Sequence, residues 1–140
     1  MLAAWGAAGP LLPQIGAARR AAHRPVAGYL LVDSLLPQPG SRTREDLRAA
    51  QLGDEAAERD AAPPARESPP EFYTEQLPMA ADWPDAPCGY LNTGAGPAAC
   101  ARLARMRGWP VLDRSEAAPR TGGAGAAALA DDLLELVGML

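Results

Sequence analysis

The segment that most constrains how this chain can fold is Pro25-Val-Ala-Gly-Tyr-Leu-Leu-Val-Asp-Ser34. Val26, Tyr29, Leu30, Leu31 and Val32 make it short and almost continuously apolar, and Pro25 and Pro37 bound it. A strand with one wet face alternates; this one does not, so it predicts a strand covered on both faces, as in a parallel sheet between helices. Pro87-Cys-Gly-Tyr-Leu-Asn-Thr93 has the same character and precedes a helical segment. Trp109-Pro-Val-Leu-Asp113 is shorter and also leads into a helix. The alternation predicts an α/β fold with about three parallel strands flanked by helices.

Composition sets the scale of the core. At 140 residues the chain is long enough for one domain. Its 48% hydrophobic fraction contains 31 alanines, while Leu, Ile, Val and Phe together contribute 24 residues. That is about 17% of the chain, below the ~20% typical of a well-cored domain. The core is expected to be thin, with part of the chain unfolded. A net charge of -4 gives no reason to expect nucleic acid as a partner. No run approaches the ~18 apolar residues of a membrane span, and the first ten residues lack the basic start of a signal peptide. Cys88 and Cys100 suit small buried apolar positions in a reducing cytoplasm better than a disulfide. Two cysteines and the single His23 do not make a zinc site, and no cofactor motif is present.

Along the chain, residues 11–23 predict a helix, with Pro10 and Pro13 suited to its first turn. Arg19, Arg20, His23 and Arg24 gather at its end, where cations meet the negative pole; an anion-binding patch is the alternative. Residues 38–70 turn polar, charge-mixed and proline-rich, which predicts a flexible insertion. One helix is expected inside it, Thr43 to about Leu52, with Thr43 as N-cap and Asp46 three residues on. A further helix runs from Pro97 to Arg107 and stops at Gly108. Its stripe is Cys100, Leu103 and Ala104, with Arg102, Arg105 and Arg107 outward. Gly122 to Gly125 reads as a loose loop. The last helix sets Leu129, Leu133, Leu136, Val137 and Leu140 on one face, and Asp131, Asp132 and Glu135 opposite.

Together these segments resemble the C-terminal half of an α/β-hydrolase of the small actinobacterial type. The resemblance is carried by Gly9-Pro-Leu-Leu-Pro13, Val26-Ala-Gly-Tyr-Leu-Leu-Val-Asp33, Phe72-Tyr73, Trp83-Pro-Asp-Ala-Pro-Cys-Gly-Tyr-Leu91 and Arg107-Gly-Trp-Pro-Val111. It extends over almost all of residues 1–140, read as a single incomplete domain, with 38–70 corresponding to the lid region. It also implies about five further strands and an oxyanion loop before the first segment.

The family's chemistry needs a serine on a sharp strand-to-helix turn, an acid and a histidine, in that order. By the resemblance, Trp5-Gly6-Ala-Ala-Gly9 is the turn, with Gly6 where the nucleophile would stand. Asp33 ends the first strong strand, a position some members use for the acid; as a plain carboxylate it would cap loop N–H groups. The histidine belongs before the last helix, where Arg120-Thr-Gly-Gly-Ala-Gly125 has none, and His23 falls elsewhere. The resemblance therefore implies a degenerate, inactive relative of the family, with no catalytic residue in place. Such a protein would serve in binding or interaction, by self-association or with a protein partner through an open sheet edge beside residues 26–32. The alternative is an ester- or amide-cleaving serine hydrolase.

Overall fold

Residues Tyr29–Val32 form a strand in which all four residues are buried. Its neighbours explain this. The computed structural model describes residues 1–40, 43–53, 69–78, 81–117 and 122–140, and only the backbone of 122–124. Its elements, in order, are β1 (Leu2–Trp5), a 3-10 turn (Gly6–Leu11), α1 (Leu12–Ala21), β2 (Tyr29–Val32), α2 (Arg44–Leu52) and α3 (Pro70–Thr74). There follow β3 (Cys88–Asn92), α4 (Ala98–Met106), β4 (Val111–Asp113) and α5 (Gly122–Gly138). The sheet has four strands, not three, in the order β1-β2-β3-β4, and every pair is parallel.

The additional strand corrects the sequence expectation in two ways. Leu2-Ala-Ala-Trp5 has none of the β-branched residues that mark a strand, yet it aligns Leu2 with Tyr29 and Trp5 with Val32. Pairing with an established strand has overridden weak local preference. β2 is consequently interior, paired with β1 on one side and β3 on the other. The open edges are β1 and β4, whose outer sides pair with nothing among the described residues.

Side chains on β2 divide by parity. Leu30 and Val32 join Leu91, Leu112 and Leu136 on one face, with Leu129 and Leu133 against them, so α5 covers that side. Tyr29 and Leu31 join Ala4, Leu12, Leu36, Leu52, Tyr90 and Cys100 on the other, under α1, α2 and α4. Each face of a parallel sheet is thus closed by helices, as its apolar strands require.

α2 begins at the expected cap. The Thr43 hydroxyl accepts from the Asp46 N–H, and the Asp46 carboxylate accepts from the Thr43 N–H, both at 3.0 Å. Buried Gln51 ties this helix to the chain after β2. Its Oε1 accepts from Leu36 N–H at 2.8 Å and its Nε2 donates to Leu36 C=O at 2.6 Å. The remainder of the expected 38–70 insertion, residues 41–42 and 54–68, lies outside the described residues.

The last helix departs from expectation at both ends of its logic. It starts at Gly122, so the expected loop at Gly122 to Gly125 is its first turn. Leu136 is fully buried, but Val137 and Leu140 stay exposed. Asp132, expected on the wet face, is buried. Arg114 reaches it from the end of β4, with Nε 3.0 Å from Asp132 and Nη2 2.6 Å from Glu135. An arginine at the end of the preceding element converts an outward position into an inward one. Arg107 is exposed as expected and donates to the Pro37 carbonyl at 3.0 Å.

At the opposite end of the sheet, the Tyr29 hydroxyl donates to Asp85 at 2.7 Å, and Arg20 pairs with both Asp82 and Asp85. Burial alone would raise the Asp85 carboxyl; the Tyr29 and Arg20 hydrogen bonds outweigh it and hold the group below the usual carboxylate range. Arg20 therefore pins α1 to the segment before β3 and is not part of a free anion-binding patch.

Candidate functional site

In a parallel sheet all strands end on the same side, and ligand sites form beyond those ends. Here the four exits are Trp5-Gly6, Asp33-Ser34, Asn92-Thr93 and Asp113-Arg114. Each carries groups that the strand register brings together.

The first exit is the turn from β1 into the 3-10 segment. Gly6 has φ 54, the left-handed region that favours glycine. A Cβ built there would meet nothing within 4 Å, so the position is sterically open. The backbone thus has a sharp strand-to-helix turn, and the residue at its apex has no side chain to act with.

At the second exit, Asp33 is buried and also has positive φ, 47. Its Oδ1 accepts from the Thr93 N–H at 2.8 Å and its Oδ2 from the Thr93 hydroxyl at 2.5 Å. Gly96 lies so close that a Cβ on it would come within 2.4 Å of the Asp33 Cα. Asp33 is therefore committed to the loop after β3, with both carboxylate oxygens engaged. Ser34 turns away from the exits: its hydroxyl donates to the Leu35 carbonyl at 2.8 Å, and its backbone is clamped by Tyr90.

The third and fourth exits are joined to each other. Asn92 Nδ2 donates to Asp113 Oδ1 at 3.0 Å, and the Ser115 hydroxyl donates to the same oxygen at 2.7 Å. Arg105 reaches Asp113 Oδ2 at 2.8 Å. Burial would raise the Asp113 carboxyl, but the Arg105 and Ser115 bonds hold it below its ordinary range. Asp113, Arg114, Ser115, Glu116 and Ala117 line a cavity of about 460 Å³. Arg114, the one cation among its described lining residues, is occupied by Asp132 and Glu135.

The sequence-derived site residues are thus placed at neighbouring exits but are not assembled into a reacting set. Gly6 and Asp33 end adjacent strands. His23 follows α1 and precedes β2, which puts it at the opposite end of the sheet. Residues 118–121, part of the segment where a histidine would be sought, lie outside the described residues. The buried thiols offer no substitute. Burial pushes Cys88 up to about 12, and Cys100 donates to Gln51 Oε1 at 3.4 Å. Among the described residues, no group of three or more His, Cys, Asp or Glu is placed to hold a metal ion, and no helix is long and apolar enough to cross a membrane.

Two site features escaped the sequence reading. Thr93 appears in the sequence only as the end of the second apolar run; its grip on Asp33 depends on the β2–β3 register. Arg44 gave no signal at all, yet it is buried beside the first exit.

No protein-family model, curated protein or solved structure matches this chain. What the fold defines is the α/β class, a four-stranded parallel sheet between helices.

Proposed function

We propose that this chain is built on the second half of an α/β-hydrolase-type sheet whose catalytic centre has decayed, and that it works as a non-catalytic binding or interaction protein. The observation that carries the reading is the β1–turn–α1 junction. It has the left-handed apex of a nucleophile turn, with Gly6 at the apex. The uncrossed parallel strand order and an acid at the end of the next strand, Asp33, agree with it. Asp33 then has no imidazole to orient and has become a loop cap on Thr93. The open edge of β1 is where further strands of such a sheet would pair, supplied by this polypeptide, by a second copy or by a protein partner. An unguarded edge of Leu-Ala-Ala-Trp, with Trp5 half exposed, suits that role.

The competing reading is a serine ester or amide hydrolase, which needs a nucleophile and a base at the exits. The test is turnover of short p-nitrophenyl esters by the natural chain and by Gly6→Ser. Restoring the hydroxyl alone leaves it without a base, so neither protein is expected to exceed the buffer rate. Turnover by the natural chain, saturable and abolished by unfolding, would overturn the proposal.

A further inference from the structure

Arg44 is 6% exposed and stands at the first position of α2, the positive pole of that helix. Its ring of partners is unusual for a buried cation. Nη1 donates to the Phe72 carbonyl at 3.0 Å, Nε points at the Ala7 carbonyl at 3.5 Å, and the guanidinium lies 4.0 Å over the Phe72 ring. Arg20, Arg105 and Arg114 each have a carboxylate, whereas Arg44 has none among the described residues. Carbonyl dipoles and a ring face orient a guanidinium without neutralising it. A buried charge lacking a counter-charge is costly.

The surroundings define what would complete it. Ala7 follows Gly6 directly, where the turn leaves open space in place of a side chain. Phe72 is half-buried under the guanidinium. A cation over an apolar ring beside an open turn matches a planar anion attached to an apolar body. We propose that Arg44 is the anion-recognition residue of a site for apolar monocarboxylic acids at the Gly6 turn, with the acid's carboxylate on the free guanidinium donors. This goes beyond the proposed loss of catalysis and does not depend on it, because carboxylate binding and ester turnover are read separately.

The experiment is calorimetric titration of the natural chain with octanoate, octanol and octylamine, repeated with Arg44→Met, which keeps an apolar stem against Phe72. Octanoate is expected to bind saturably with one site and at least tenfold tighter than octanol or octylamine. Arg44→Met should bring octanoate down to the level of octanol. Equal binding of octanoate and octanol, no binding of octanoate, or unchanged octanoate affinity in a folded Arg44→Met would each overturn the assignment. Should that variant fail to fold by circular dichroism, amide shifts in the natural chain decide. Octanoate must then move the Ala7, Ala8 and Phe72 amide resonances, and their indifference overturns the site.

Discussion

Leu31→Ala should destabilise the chain by about 2–5 kcal/mol, the range for truncating a fully buried leucine in a core that cannot collapse onto the gap. Leu31 is at 0% exposure in the middle of an interior strand, paired with Ala4 on one side and Tyr90 on the other. Its side chain points into the face shared by Leu12, Leu36, Leu52 and Cys100, which three helices cover. Backbone pairing on both sides prevents the strand from moving to fill the space. Small domains have ~5–15 kcal/mol of stability in all, so the loss would take a large fraction of it. Denaturant unfolding followed by circular dichroism measures the effect, with Leu134→Ala as control. Leu134 is 70% exposed, so its truncation should change stability by less than ~0.5 kcal/mol. Equal effects at the two positions would mean that the sheet is not the core.

Tyr90→Phe should cost about 2–4 kcal/mol while leaving the ring in place, because two buried backbone groups lose their partner together. The Tyr90 hydroxyl accepts from the Ser34 N–H and donates to the Ser34 carbonyl, both at 3.1 Å, and Tyr90 is fully buried. One phenol thereby does for the chain leaving β2 what a neighbouring strand would do. Phenylalanine keeps the apolar contacts but provides neither donor nor acceptor. The same unfolding measurement checks this, and hydrogen exchange adds position. The Ser34 amide should lose protection even under conditions where the variant is fully folded. An unchanged midpoint with a protected Ser34 amide would show that water or another group replaces the hydroxyl.

How much of this was legible in the sequence follows from where each signal resides. Tyr29–Val32 and Cys88–Asn92 were legible because burial on both faces demands nearly continuous apolar residues, and Val111–Asp113 because a short apolar pair follows Pro110 and leads into a helical segment. Leu2–Trp5 was not, since its two alanines carry no strand preference and only the pairing with β2 makes it a strand. Gly122 to Gly125 reads as a loop from its glycines, whose helix propensity is low, but it forms the first turn of α5. Asp132 misled in the same manner, since amphipathic spacing cannot reveal an arginine approaching from another element. At the site, the Gly6 turn was implied only by the resemblance to a known sheet-to-helix turn. The Asp33–Thr93 clasp and the buried Arg44 were not, because each joins segments far apart in the chain.

The proposed function holds that the strand exits keep the frame of a hydrolase-type site without its chemistry. Treatment of the folded chain with a fluorophosphonate probe, followed by peptide mass spectrometry, addresses it directly. Such probes report a serine activated by a base. Gly6 at the turn, Asp33 held by Thr93, and His23 at the far end of the sheet predict no labelling above the heat-denatured control. Labelling that maps to a single serine, such as Ser34 or Ser115, and disappears on denaturation would contradict it.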